Sequence, residues 1–486
     1  MFRDPDLLAG RPPARAETRL PWIGVAPGAP YFVAETGEPW TPIGHNDAIS
    51  WVTLDGLFRR RDLPAVEAYL AGLAASGVTV LRLMLEYAQV RHRYVERPIG
   101  RFVPAMVRLW DDLFAICERV GLRILLTPVD TFWTWLHWRH HPYNRANGGP
   151  LDDPSRLLLC RETRDAIKAR LAFAAERWGG SGALFAYDLW NEIHPAQAGD
   201  SAEVFPDFIA DLSRHLRAVE IRLHGRAHPQ TVSLFGPELR LRPDMPLAEP
   251  IFRHPDLDFA TIHVYEQGTI DDPRDTVAPA LGMAGIVRAC IGETRDGRPF
   301  LDTEHGPIHS FKDRKLTLPE AFDDECFRHM QWAHLAAGGA GGGMRWPNRH
   351  PHRLTPGMHR AQAALAAFLP LVDWLRFRRR PVEPLVGDAS PGLAAVACAD
   401  EAQALAWLVR RDTIGPDGRL RADAAPVTPR LVIPGPAPGR YRVTAFDTAR
   451  GMPLGAIEAV ADGRGLAVDG LSVATDLALA ARRVDG

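Results

Sequence analysis

The 486-residue sequence has no Cys-x-x-Cys pair, no signal-like apolar stretch behind its first methionine and no excess of either charge. Its five cysteines, Cys117, Cys160, Cys290, Cys326 and Cys398, are odd in number and scattered. That pattern excludes a zinc knuckle and gives no sign of a disulfide framework. Nowhere does the chain approach the run of about 20 apolar residues that a membrane-spanning helix needs. A formal net charge of −2 leaves no electrostatic footprint for nucleic acid or an anionic membrane. Lysine is nearly missing, with Lys168, Lys312 and Lys315 set among a large excess of arginine, which reads as base composition. These absences point to a cytoplasmic protein that acts on a neutral or small substrate, and they leave the oligomeric state open.

What is present is ordinary globular material, 46% hydrophobic and 24% charged, in a chain too long for one hydrophobic core. Residues 1–30 are rich in Pro, Arg and Gly and have no period, so an irregular arm is expected there. From residue 31 to 378 the texture alternates. Leu63, Val66, Leu70 and Leu73 recur at helical spacing, Gly77 ends the segment, and Val78 to Leu85 is an apolar, β-rich run. The unit repeats through a helix near Pro104 to Val120, a strand from Leu122 to Val129, a helix near Arg161 to Trp178 and a strand from Ala183 to Trp190. Further strands are expected at Thr231 to Phe235, Leu257 to Val264, Pro299 to Thr303 and Gly343 to Trp346. Counted from Ile43 these make eight, the pattern of an α/β (β/α)8 TIM barrel. A doubly wound open sheet competes, but no Gly-x-Gly-x-x-Gly follows the first strand, and polar residues cluster at many strand ends. Residues 379–486 carry short strand runs with Gly and Pro turns, which predicts a small antiparallel β-sandwich domain.

A (β/α)8 barrel keeps its chemistry at the C-terminal ends of the strands. Reading those ends in order gives His45 and Asn46, then Arg82 and Glu86, then Asp130 with Trp133, Trp135 and His137. Asn191 and Glu192 end the fourth strand, His263, Tyr265 and Glu266 the sixth, Glu304 and His305 the seventh, and Arg345 and Trp346 the eighth. Glu192 and Glu304 are three βα units apart, so on a closed barrel they face each other across the mouth. Two carboxyls flanking one bond suit glycosidic cleavage, in which one protonates the leaving oxygen and the other attacks or stabilises the anomeric carbon. The donor's pKa must be raised, by burial or by a neighbouring anion.

With these residues in place, the stretch from Phe32 to Leu375 resembles the clan A glycoside hydrolases, and family 5, the cellulase and mannanase family, most of all. The resemblance rests on Arg82 in Val-Leu-Arg-Leu, His137 in Thr-Trp-Leu-His-Trp, Asn191-Glu192 in Leu-Trp-Asn-Glu and His263-Val-Tyr265. It continues with Glu304 in Asp-Thr-Glu-His-Gly and Trp346 in Met-Arg-Trp-Pro. It implies a retaining enzyme without a cofactor or metal that cleaves β-linked glucosidic or mannosidic bonds in a carbohydrate substrate. Glu304 would be the nucleophile and Glu192 the acid and base. Asn191 would hydrogen-bond the sugar 2-hydroxyl, Arg82 and Tyr265 would hold Glu304 ionised, and Trp346 would stack on the sugar. His263 and His137 would line the same pocket. The expected carboxyl separation is then about 5–5.5 Å, against about 6.5–9.5 Å for an inverting enzyme. The C-terminal segment from Gly439 to Gly451 is similar to a hairpin of the sandwich appended to many such enzymes.

Other readings stay open at this level. His137, His140 and His141 have the i, i+3, i+4 spacing of a metal site, though no acidic partner is near in sequence. Trp133 and Trp135 suit sugar platforms or loop packing. Glu86 and Glu266 suit substrate contacts or ion pairs, and His45, Asn46 and His305 are further subsite candidates. Transglycosylation uses the same site, a non-catalytic sugar-binding barrel would keep the same fold, and an amidohydrolase barrel would need a His-x-His that His45-Asn46-Asp47 does not supply.

Overall fold

Residues 20–85, 93–266, 269–294, 296–309, 316–387 and 392–484 are described in the computed structural model. Eight parallel strands form one curled, TIM-barrel-like sheet. In chain order they are Gly44–Asp47, Val80–Met84, Arg123–Thr127, Leu184–Asp188, Gln230–Thr231, His263–Glu266, Glu304–Pro307 and Met344–Arg345. Each pairs with its neighbour in sequence, and the eighth pairs with the first. The fifth and sixth meet through a bridge from Phe235 to His263, with the His263 amide donating to the Leu234 carbonyl at 2.9 Å.

The second, third and fourth strands are buried at every position, as a parallel sheet covered by helices requires. The helices between strands begin and end where their sequences dictate. Asp62 caps Leu63–Ala75 by accepting from the Ala65 amide at 3.1 Å, and Gly121, at φ +86°, stops Pro104–Val120 in the left-handed conformation that glycine adopts freely. After the fifth strand no long helix forms. Pro237, Pro243, Pro246 and Pro250 each remove an amide donor, and the segment keeps only the short turns Glu238–Leu241 and Glu249–Arg253.

Two strands lie later in the chain than their apolar runs suggest. Ala260 and Phe300 still bridge within the expected runs, but the regular ladder of the sixth and seventh strands begins at His263 and Glu304. In between, side chains replace ladder bonds, with Thr261 Oγ1 accepting from the Thr303 amide at 3.2 Å and Asp302 Oδ1 from the Glu304 amide at 3.1 Å.

The N-terminal end of the barrel is closed. Ile23–Val25, within the segment expected to be irregular, pairs antiparallel with Phe32–Ala34, which pairs with Pro39–Trp40. Phe32 and Trp40 pack on Phe185 with ring centroids 5.0 and 4.5 Å apart, which plugs that end and leaves the C-terminal mouth open.

The C-terminal strands differ from the expected two-sheet sandwich. From Arg380–Val382 to Asp476–Arg483, nine strands join edge to edge in one antiparallel sheet, so hydrogen bonding is continuous where a sandwich would break into two sheets. Side-chain alternation explains its two buried faces. Leu405, Trp407 and Val409 pack into the barrel's own core, while Ala404, Ala406 and Leu408 join a second core with Leu431, Tyr441 and Val443. Buried Asp476 fastens the two parts, accepting from Trp407 Nε1 at 3.2 Å and meeting Arg328 of the helix Glu320–Ala336 at 3.0 Å. Burial works against its ionisation, but Arg328, His329 and Thr448 outweigh that and hold the carboxyl well below the usual range.

Candidate active site

Arg82 lies in the middle of the second strand with its side chain pointing into the barrel and fully buried. An unpaired guanidinium would be costly there, so its donors are distributed among acceptors. Nη1 donates to Glu304 Oε2 at 2.7 Å and Asn46 Oδ1 at 2.9 Å, and Nη2 to Asp188 Oδ2 at 2.7 Å and Asn191 Oδ1 at 2.5 Å. The other Glu304 oxygen, Oε1, accepts from the Tyr265 hydroxyl at 2.9 Å. Burial and the neighbouring Glu192 charge leave the Glu304 carboxyl raised on balance, while His263, Arg82 and the Tyr265 hydroxyl act in the opposite direction and favour its ionised form.

Glu192 has no such cation to itself, since Arg82 is in contact with two other carboxylates. Burial pushes its carboxyl up to about 7; Arg82 acts against the rise, and the charges of Asp188 and Glu238 add to it. Its backbone has φ +52°, an uncommon conformation for a residue with a side chain. Hydrogen bonds hold it there. The Glu192 amide donates to Ser233 Oγ at 3.1 Å, and that hydroxyl donates to Asp188 Oδ2 at 2.8 Å.

His263 stands between the two carboxyls. Its Nδ1 lies 2.7 Å from Glu192 Oε1 and 3.6 Å from Glu304 Oε2. Burial lowers its pKa to about 4, so near neutral pH the imidazole is uncharged and does not stabilise a Glu192 anion by charge. One ligand atom each from Glu192, His263 and Glu304 lies within 4.8 Å of the others, close enough to converge on a cation. Arg82 already places a positive charge on Glu304 in that cluster.

Asp130, at the end of the third strand, fixes the remaining polar group. Its Oδ1 accepts from Asn191 Nδ2 at 2.5 Å, and its Oδ2 caps the helix Thr131–Leu136 through the Trp133 amide at 2.5 Å. The Asn191 amide is thereby held at both ends, by Asp130 and Arg82. Burial pushes the Asp130 carboxyl up to about 8. These groups open onto a cavity of about 830 Å³ lined by Glu192, Glu304, Asn191, Asp130, Tyr265 and Trp346, with further loop residues around its mouth.

By sequence, no family profile matches the chain and no curated protein does. Solved structures do match by shape. One described as a glycoside hydrolase has a TM-score of 0.60 at 13% identity, over 97% of this chain and 99% of its own. A glycoside hydrolase family 5 structure from Bacteroides vulgatus has a TM-score of 0.59 at 12% identity, over 97% of this chain and 96% of its own. The fold is that of glycoside hydrolase family 5. A family 5 mannosidase from Rhizomucor miehei has a TM-score of 0.53 at 14% identity, over 73% of this chain and 98% of its own.

On this family 5 fold Arg82, Asn191, Glu192, His263, Tyr265 and Glu304 come together in one hydrogen-bonded cluster, with Trp346 on the cavity wall. Trp133 and Trp135 also line the cavity. His137 ends the short helix and stacks on Trp133 at 5.8 Å, behind the wall. His45, Asn46 and His305 are not among the residues that line the cavity. His45 faces outward to Tyr69 and Gln362, both at 3.3 Å, and His305 faces outward to Asp302 Oδ2 at 2.6 Å. Asn46 points inward beneath the cavity and donates to the Thr303 carbonyl at 3.0 Å. Arg345 is buried against Asp323 at 2.7 Å. Glu86 and the side chain of Glu266 lie outside the described residues.

Asp188 and Ser233 are the contributors that the strand-end reading passes over. Asp188 is a buried carboxylate inside an apolar strand, a residue seldom buried without a partner, and that was the available signal. Ser233 carries no such mark.

Proposed function

We propose that the chain is a retaining glycoside hydrolase that cleaves β-linked glucosidic or mannosidic bonds by double displacement. The observation that carries this reading is the contrast between the two carboxyls. Glu304 has a donor on each oxygen, while Glu192, with an oxygen within 4.8 Å, is raised to about 7. An oxygen pair this close supports the retaining class, whose carboxyls lie about 5–5.5 Å apart, over the inverting class at about 6.5–9.5 Å.

In the first step Glu192 gives its proton to the glycosidic oxygen as the bond from that oxygen to the anomeric carbon breaks. Glu304 Oε attacks the anomeric carbon from the opposite face and forms a glycosyl ester. In the second step ionised Glu192 takes a proton from water, the water oxygen bonds to the anomeric carbon, and the ester bond to Glu304 breaks. Two inversions give net retention, and both carboxyls return to their starting states. Asn191, immobilised by Asp130 and Arg82, is oriented to hydrogen-bond the sugar beside the anomeric carbon, and Trp346 supplies a flat apolar face for its ring.

The reading is tested with a panel of aryl β-glycosides (glucoside, mannoside, galactoside and xyloside) on wild type and Glu304→Gln. Wild type hydrolyses at least one and the variant none. No turnover by wild type, or equal turnover by both proteins, removes the proposal.

A further inference from the structure

The cavity wall beside Glu192 gathers exposed apolar side chains at its mouth. The third, fourth and fifth strands are neighbours in the sheet, and the loops after them flank Glu192. Trp135 packs on His194 with ring centroids 5.0 Å apart, and Glu238 reaches the same histidine at 3.5 Å. On this flank the cavity is lined by Phe132, Leu136, Phe235, Pro237 and Leu241. Three of them are open to solvent, Phe132 by 38%, Leu136 by 49% and Leu241 by 71%. Large apolar side chains gathered at a cavity mouth mark a contact surface. Of the polar groups there, Glu238 is engaged by Arg242 at 2.7 Å as well as by His194, and Arg240 stands exposed at the rim.

The opposite flank includes Ile308 and Leu316 but carries more hydrogen-bonding groups. The loop after the eighth strand lies against the strand that carries Glu304, with Asn348 Nδ2 donating to the Pro307 carbonyl at 2.9 Å. It presents Trp346, Asn348, His350 and His352 to the cavity.

This inference rests on the glycosidase reading, because the two carboxyls then assign the flanks. The proton donor must reach the glycosidic oxygen, so the leaving group departs along the Glu192 side, and the sugar that becomes attached to Glu304 occupies the Trp346 side. A sugar as leaving group would bring several hydroxyls against Leu and Phe side chains that offer no hydrogen bonds, and stripping water from them is unfavourable. An alkyl or aryl group there removes apolar surface of both partners from water. We infer that the substrate is a β-glycoside with an apolar aglycone, a lipid-linked or aromatic glycoside, and that Phe132, Leu136 and Leu241 select it.

The test takes the glycone that wild type hydrolyses fastest as its 4-nitrophenyl β-glycoside. It compares the hexyl, octyl and naphthyl glycosides of that sugar, below micelle-forming concentration, with a disaccharide of the same sugar. The expected kcat/KM for the octyl or naphthyl glycoside exceeds that for the disaccharide by at least about tenfold, the scale on which a few methylenes are discriminated in an apolar pocket. In Leu136→Ser/Leu241→Ser, whose altered positions are exposed and put little of the fold at risk, that ratio falls about tenfold. A rate that climbs from hexyl to octyl identifies the lipid-linked source, and a naphthyl preference that falls in the double variant identifies the aromatic one, since the acidity of the leaving naphthol alone would leave it unchanged. A disaccharide cleaved as well as the octyl and naphthyl glycosides, or a ratio unchanged in the double variant, overturns the inference while the glycosidase reading stands. Failure of wild type on every 4-nitrophenyl glycoside overturns that reading itself.

Discussion

Arg82 Nη1 lies 2.7 Å from Glu304 Oε2, a contact that favours the ionised form of a carboxyl which burial pushes the other way. The guanidinium is buried and also binds Asp188. Removing it strands two buried carboxylates, so Arg82→Met is expected to lower stability by about 3–5 kcal/mol. Urea unfolding measures the loss, and aryl glycoside turnover falls by at least about a hundredfold as Glu304 becomes easier to protonate. A stable, active variant would show that the charge at Glu304 is set elsewhere.

Glu192, raised to about 7, must be protonated for the first step, so kcat/KM declines as pH rises through about 7. Glu192→Gln loses this limb, and its rate falls by about 10²–10⁴-fold on glycosides whose leaving groups need the proton, and less on a dinitrophenyl glycoside.

Stability depends on pH in the same direction at the same residue. Its folded pKa lies above the ordinary value of 4.5, so below that pH both states are protonated and the fold bears no cost. As pH rises toward about 7 the unfolded chain ionises first, and the folded state loses stability relative to it. Glu192→Gln removes this dependence, so its unfolding free energy relative to wild type increases between pH 4.5 and pH 7.5 by about 1–3 kcal/mol. Chemical denaturation of both proteins at the two pH values reads the difference directly, and a gap independent of pH would contradict the assignment.

Asp130 is expected to act through Asn191. In Asp130→Ala the amide of Asn191 keeps only its Arg82 anchor, and the Trp133 amide loses its cap. The cap contributes about 1 kcal/mol to stability, and kcat/KM is expected to drop about tenfold on a 2-hydroxy sugar. The loss should be much smaller on the matching 2-deoxy glycoside, a distinction that a merely destabilised variant would not make.

How far the sequence leads can be judged from single residues. Arg82, within its strand, and Glu192, at a strand end, are polar breaks in apolar runs, and burial of the runs leaves them one place to point. His45 beside Asn46 and Glu304 beside His305 are harder, because adjacent strand residues face opposite sides of the sheet and composition does not say which faces in. The strand shifts at His263 and Glu304 go with hydrogen bonds that Thr261 Oγ1 and Asp302 Oδ1 accept from the Thr303 and Glu304 amides, which apolar patterning does not encode. The C-terminal alternation was legible as antiparallel strands, but one sheet and two sheets share the same alternation. The strand at Ile23–Val25 is only three residues long and too short to show a period.

The barrel and the C-terminal sheet are joined through Asp476, so Asp476→Ala leaves Arg328 and His329 without their buried anion. A destabilisation of about 3–5 kcal/mol in urea is expected, with the site's kinetics at low temperature unchanged. A loss below about 1 kcal/mol would mean that apolar packing alone holds the two parts together.

The central claim is that Glu304 becomes covalently bonded to the sugar, and trapping that ester tests it most directly. Wild type is incubated with the activated 2-deoxy-2-fluoro β-glycoside of its preferred sugar and examined by intact-mass and peptide mass spectrometry. One added fluoroglycosyl group on Glu304, absent from Glu304→Gln, is the result the account predicts. Turnover without any adduct, or an adduct on another residue, would contradict it.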